Sequence, residues 1–179
     1  MAILPIVEVP DPRLRQISTP VETVDDGVRK LVSDMFETMY AAPGIGLAAI
    51  QVGVPKRILV IDLQEPEEEG GEAVKKPLVF INPEILDHSD RDVPYSEGCL
   101  SIPDQYAEVD RPDLIRARWL DEKGVQHEEE IDGLLAVCLQ HEMDHLNGIL
   151  FIDHLSRLKR DMVLKKLAKQ RKELAKRAA

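Results

Sequence analysis

Cysteine is scarce: the chain of 179 residues has two, Cys99 and Cys138, too few for a disulfide framework. Aromatic residues are also few, at 4%. No apolar run approaches the roughly 20 residues that a membrane span needs. The opening Met1-Ala2-Ile3-Leu4-Pro5 has neither a basic segment nor a long apolar stretch, so it does not read as a secretory signal. With 44% hydrophobic and 31% charged residues, the composition excludes a disordered chain. What remains is one cytoplasmic domain over residues 1–179, expected to be a monomer with reduced thiols unless a metal holds one.

Charge is present in quantity but unevenly placed. Overall, 33 acids against 23 bases give −10. Residues 154–179 contain ten Lys or Arg and two acids, Asp161 and Glu173, so this tail carries +8 and the rest −18. The acidic body repels nucleic acid, whereas the tail can attract it.

Periodicity gives a coarse map without internal repeats. Asp25 or Asp26 caps an amphipathic helix over about 26–42, read from Val28, Leu31, Val32, Met35, Phe36, Met39 and Tyr40. Pro43-Gly44 ends it. Residues 57–63 read as a buried strand, and the acidic, Gly-rich 64–77 as an exposed loop. Residues 78–86 are strand-like but contain Pro83, which predicts an edge position or a bulge. Further strands are expected at 107–109, 114–120 and 125–131, with a hairpin turn over 121–124. Asp132 caps a second helix over about 133–147, stopped by Gly148. A basic third helix follows over 155–179, with an apolar stripe of Leu155, Leu158, Met162, Val163, Leu167 and Leu174. Strands followed by a late helix predict an α+β fold, with small antiparallel or mixed sheets around the second helix.

That second helix contains Gln140-His141-Glu142-Met143-Asp144-His145, an H-E-x-x-H pattern. Histidines four apart lie one turn apart on one face and can share an ion, with Glu142 beside them. At about 100° per residue, Leu135, Leu139 and Leu146 surround Glu142, while Gln140, Asp144 and Asn147 lie opposite. A carboxylate inside an apolar stripe needs a partner or a task; histidines and an acid that merely satisfy core hydrogen bonds would leave it unexplained. A catalytic site of this type takes three protein ligands and keeps one position open. The third ligand is not obvious. A metzincin would need His where Phe151 stands, and His154 comes three residues late. The only downstream Glu is Glu173, in the basic tail. Cys138 and His145 are seven residues apart, roughly 10 Å along the helix axis, which strains joint ligation and makes Cys138 a pocket wall. Cys99, in Glu97-Gly98-Cys99-Leu100-Ser101, reads as a ligand or as a small buried hydrophobe; spacing alone does not choose.

Three segments occur in order: Gly44-Ile45-Gly46-Leu47-Ala48-Ala49-Ile50-Gln51, then Glu97-Gly98-Cys99-Leu100-Ser101, then Gln140 to His145. Together they resemble the signature motifs of bacterial peptide deformylases, and the similarity runs from Pro10-Asp11-Pro12-Arg13-Leu14 to Ser156. The resemblance implies that Cys99, His141 and His145 bind one divalent ion, with iron(II) native and zinc, nickel or cobalt accepted. It implies removal of the formyl group from N-formylmethionyl nascent peptides, by attack of metal-bound water on the formyl carbon. Glu142 would act as general base and acid, with Gln51 and the Leu100 N–H as oxyanion donors. On the helical wheel Leu134, Val137 and Cys138 share the side of His141 and His145 and are expected in the wall of a methionine pocket, as the resemblance suggests for Ile45 and Tyr95. Backbone of Ile45, Gly46 and Gly98 is expected to pair with an extended peptide, and Glu97 is counted among the substrate contacts. Docking on the ribosome through the basic C-terminal helix follows from the same resemblance. Two positions depart from the family pattern: Ile50 replaces the usual Pro, which predicts a less rigid Gln51 loop, and Tyr106 stands where Arg is frequent. The competing expectations are a zincin-type endopeptidase and a domain with a structural metal. A structural site is normally closed by four ligands, and only three plausible ones are visible.

Overall fold

Ten regular elements and three short 3-10 turns follow one another along the chain in a computed structural model, which describes residues 2–179. Helix α1 (Asp26–Ala41) leads into β1 (Gly46–Ala48), β2 (Ile58–Ile61) and β3 (Leu78–His88). A hairpin of β4 (Asp92–Cys99) and β5 (Ile102–Pro112) precedes β6 (Leu114–Leu120), β7 (Gln126–Asp132), α2 (Gly133–Leu146) and α3 (Arg157–Ala178). All strand pairings between these elements are antiparallel: a five-stranded sheet ordered β1-β2-β3-β6-β7, and the separate pair β4-β5. The expected α+β class is the class observed.

Burial explains the continuous apolar run of β2. All four of its residues are buried. Ile58 and Val60 face α1, beside Val28, Val32, Met35 and Met39. Leu59 and Ile61 face the other way, onto Leu139, Met143 and Leu146 of α2. A strand covered on both faces has no polar side to show. Helix α1 is fixed at its start by the Asp25 side chain, which accepts from Val28 N at 2.9 Å.

Helix α2 lies inside the molecule, with ten of its fourteen residues buried. Its polar side is therefore covered rather than solvated: Gln140 is buried and donates to the carbonyls of Pro112 and Ala136, each at 3.0 Å. Asp132 precedes the helix but makes no side-chain cap bond. At the other end Gly148 has φ +71°, and its N–H donates to His145 O at 3.1 Å.

Pro83 lies in β3 just past Ile81, the last residue that pairs with β2, and beyond it the strand pairs with β6 alone, so this half of β3 is an edge on its β2 side. The expected bulge is there too, as a register shift between Ile81 and Glu84. It is supported by Asn82, at φ +50°, whose side chain exchanges two 2.8 Å hydrogen bonds with the backbone of Val21. Other expectations need correction. Strands β1 and β4 and the first half of β5 carry no apolar alternation and were not expected. The apolar stripe of α3 is only partly used. Val163 and Leu167 are buried against Val7, Val9, Ile102 and Phe151, whereas Leu158, Met162 and Leu174 stand in solvent.

The α2 stop yields a test. A Cβ at Gly148 would lie 2.5 Å from the Arg15 carbonyl oxygen, in a left-handed backbone conformation. Gly148→Ala should destabilise the fold by about 2 kcal/mol or more, read as a lower urea midpoint; an unchanged midpoint would show that this junction yields freely.

Candidate metal centre

Two separate stretches of chain meet at one point. His141 and His145 project from successive turns of α2, with ring centroids 5.1 Å apart. Cys99 ends β4, where the β4-β5 register shifts after Gly98. Its Sγ lies 3.3 Å from His145 Nε2, and one donor atom from each of the three residues falls within 4.8 Å of the others. Among the described residues this is the single such group of metal-ligating side chains. The donor set fits a divalent transition metal: a thiolate with two imidazoles suits zinc or iron(II), and three protein ligands leave a coordination position open.

The surroundings orient these donors. His141 Nδ1 bonds to Glu97 Oε1 at 2.7 Å, which leaves Nε2 to face the centre. The Cys99 sulfur accepts from Ser101 N and from Gln51 Nε2, each at 3.4 Å. Gln51 Oε1 accepts from Ala48 N at 2.8 Å, so its amide is held with the nitrogen towards the sulfur and towards Ser101 Oγ at 3.1 Å. Glu142 Oε1 lies 4.0 Å from His141 Nε2, while Glu142 Oε2 and His145 Nδ1 are buried without a partner in the chain. Burial pushes the Glu142 carboxyl up to about 7, with the nearby His141 opposing that rise. A cation at the centre would pull it down again.

This floor opens into a cleft of about 740 Å³. Gln51, Cys99, Leu100, His141 and Glu142 line its depth, and Ile45, Gly46, Tyr95 and Gly98 its walls. The glycines are spatial requirements. A Cβ at Gly46 would collide with the Glu142 carboxylate, and one at Gly98 with the ring of Tyr106.

Comparison with known proteins identifies the family. The family model described as polypeptide deformylase matches residues 3–161. The peptide deformylase of Rhizorhabdus wittichii is 70% identical over 96% of this chain and 97% of its own. The chain belongs to the polypeptide deformylase family. The crystal structure of a peptide deformylase from Legionella pneumophila superposes with a TM-score of 0.87 at 45% identity, covering 97% of this chain and 98% of that one. That of the Ehrlichia chaffeensis enzyme in complex with actinonin gives 0.87 at 49% identity, over 95% and 98%.

Not every residue expected at the substrate side of this deformylase lines the cleft. Leu134 and Cys138 pack into the main core cluster and Val137 is buried beside them; burial pushes the Cys138 thiol up to about 12. Glu97 sits behind His141 rather than at the cleft surface. Ile50 is fully buried in the core, so packing anchors the turn that carries Gln51. A smaller hollow of about 280 Å³ beside Trp119 and His127 holds none of these residues.

Sequence reasoning missed Arg111. It lies on β5, buried, and its Nε and NH2 grip both oxygens of Glu97 at 2.5 and 2.9 Å. Its NH1 donates to Asp144 Oδ2 at 3.0 Å. Burial alone would raise the Glu97 pKa, but the Arg111 guanidinium and His141 together hold it below the usual carboxylate range. The available signal was an arginine on the inward parity of a strand, where only a partnered charge is tolerated.

Arg111→Leu should therefore leave Glu97 as an uncompensated buried charge and cost about 3–5 kcal/mol of stability. It should also weaken metal retention against a chelator by about 10- to 100-fold. Parent-like retention of the metal would show that Glu97 holds His141 without Arg111.

Proposed function

We propose that Cys99, His141 and His145 hold a catalytic divalent ion, with iron(II) the native metal, and that Glu142 moves the proton in release of formate from N-formylmethionyl nascent peptides. The observation that carries this reading is a buried carboxylate beside a three-donor group at the floor of a cleft. A divalent ion held there supplies Lewis-acid polarisation and lowers the pKa of a water towards 7.

The remaining work falls to side chains and backbone. Glu142 Oε2, buried and free of intramolecular bonds, takes the proton of the attacking water and delivers it to the leaving amine. Gln51 Nε2 and the Leu100 N–H donate to the oxyanion that develops at the formyl carbon. The Ala48 bond to Gln51 Oε1 fixes that amide beforehand, so no reorientation is needed as charge develops. Extended peptide backbone pairs with Ile45, Gly46 and Gly98 by strand addition. Ile45 and Tyr95 offer apolar surface to the methionine side chain, with Leu134, Val137 and Cys138 behind the wall.

The reading places the enzyme in the cytoplasm as a monomer; no helix among the described residues is long and apolar enough to cross a membrane. Ribosome docking would use the outer face of α3, where Lys165, Lys169, Lys172 and Lys176 are exposed beside Leu158 and Met162.

Two experiments test these roles. Purified without oxygen, the chain should carry about one equivalent of iron, and Glu142→Ala should keep that metal while losing formate release. An active Glu142→Ala variant would remove Glu142 from the mechanism. The triple variant Lys165→Glu, Lys169→Glu, Lys172→Glu should bind ribosomes more weakly and still turn over short formyl-peptides; unaltered ribosome binding would dismiss the docking face.

A further inference from the structure

The inner side of α3 touches the cleft as well as the core. Val163 and Leu167 seat the helix on Val7, Val9, Ile102 and Val109. One turn beyond Leu167, two adjacent residues reach further. Gln170 Nε2 donates to Asp104 Oδ2 at 2.6 Å, and Gln170 Oε1 accepts from Gln105 Nε2 at 3.0 Å. Arg171 NH2 pairs with Glu8 Oε2 at 2.9 Å. Glu8, Asp104 and Gln105 all line the cleft.

These three residues sit on backbone that has little freedom of its own. Val7 N and Val9 N, on either side of Glu8, donate to Gln51 O at 2.7 Å and Ser101 O at 3.0 Å. That segment is thus tied to the turns carrying the Gln51 amide and the Cys99 neighbour. Asp104 is a non-glycine residue at φ +57°, a conformation that the surrounding contacts must maintain. What is left free is the rim side chains, and the α3 pair holds them.

We propose that Gln170 and Arg171 are positioning residues for the mouth of the substrate cleft, fixing Asp104, Gln105 and Glu8 for the part of the peptide beyond its formylmethionine. The inference rests on the deformylase reading and deepens it. A formyl-dipeptide, confined to the floor, does not depend on the rim. A longer formyl-peptide does, and the dependence appears in KM rather than kcat, because the rim touches no reacting atom. The ionic contact is half-exposed, at 38% and 44% for its two side chains. Its loss thus has a small effect on stability.

The test uses the metal-loaded full chain with formyl-Met-Ala and a formyl-hexapeptide. Gln170→Glu sets a carboxylate against Asp104, and Arg171→Glu sets one against Glu8. Each should raise KM for the hexapeptide about three- to fivefold, with kcat, the formyl-Met-Ala kinetics and Tm unchanged. Arg171→Lys, which keeps the charge, should retain the parent KM. Parent-like hexapeptide kinetics in both reversed variants would overturn the inference, as would an equal loss on both substrates accompanied by a lower Tm. A parent chain that releases no formate from either peptide would overturn the deformylase reading and this inference with it.

Discussion

Burial of the polar turn of α2 is the constraint from which the rest of the molecule follows. His141, Glu142 and His145 are all nearly withdrawn from water, and such groups are costly in the interior unless each finds a partner. His141 is satisfied through Glu97, but Glu97 is itself buried and needs Arg111. Arg111 in turn reaches Asp144, which is half-buried and meets the exposed His154 at 2.8 Å. The series therefore starts at the centre and ends in solvent, where charge is cheap to hold. It leaves α2 at His141, crosses the β4-β5 hairpin through Glu97 and Arg111, and returns to α2 at Asp144 before reaching His154 in the following turn. The same bonds that neutralise the interior thus lock the hairpin to the helix, and Cys99 at the end of β4 is placed by that lock.

The space for chemistry is made by what the chain omits. Gly46 and Gly98 both line the cleft, and a side chain at either would enter volume already taken by Glu142 or Tyr106. β1 is only three residues long, yet it is antiparallel to β2 with a fixed register and touches the fully buried part of the sheet. A short edge strand held this firmly presents the backbone of residues 45 and 46 towards the cleft without needing side chains to define it. The Gln51 amide is oriented by the strand residue Ala48, so the donor and the wall it belongs to move as one unit.

Legibility in the sequence tracked how far each element depends on its own residues. Helix α1 and strand β6 were readable because each has one buried face that its own periodicity records. The H-E-x-x-H pairing was readable because two ligands one turn apart are a local property of a helix. Cys99 was not fixed by spacing, since its approach to His145 depends on a hairpin tens of residues away; only the motif resemblance named it. Strand β4 escaped because Tyr95, Ser96, Glu97 and Gly98 serve a cleft and a buried ion pair instead of an apolar core. Pro83 was readable as an edge or a bulge because its missing N–H is a local property. A proline is excluded from a strand only where the ladder needs its N–H, and the bulge between Ile81 and Glu84, at the point where pairing with β2 ends, removes that need. The stripe on α3 overstated its burial because Leu158 and Met162 lie about half a turn away from Val163 and Leu167 on the helix.

The two sides of α3 answer different demands. The inner side is fixed by Val163 and Leu167 in the core, then by Gln170 and Arg171 at the mouth of the cleft. The outer side carries most of the lysines of a tail whose net charge is +8, against −18 for the rest of the chain. Such an asymmetry favours contact of a polyanion with the tail over contact with the acidic body. Because the same helix is bonded to the cleft mouth, the direction in which the mouth points is set relative to that basic face. One helix with a basic exterior and a polar grip on the rim thus ties the orientation of that exterior to the orientation of the cleft mouth.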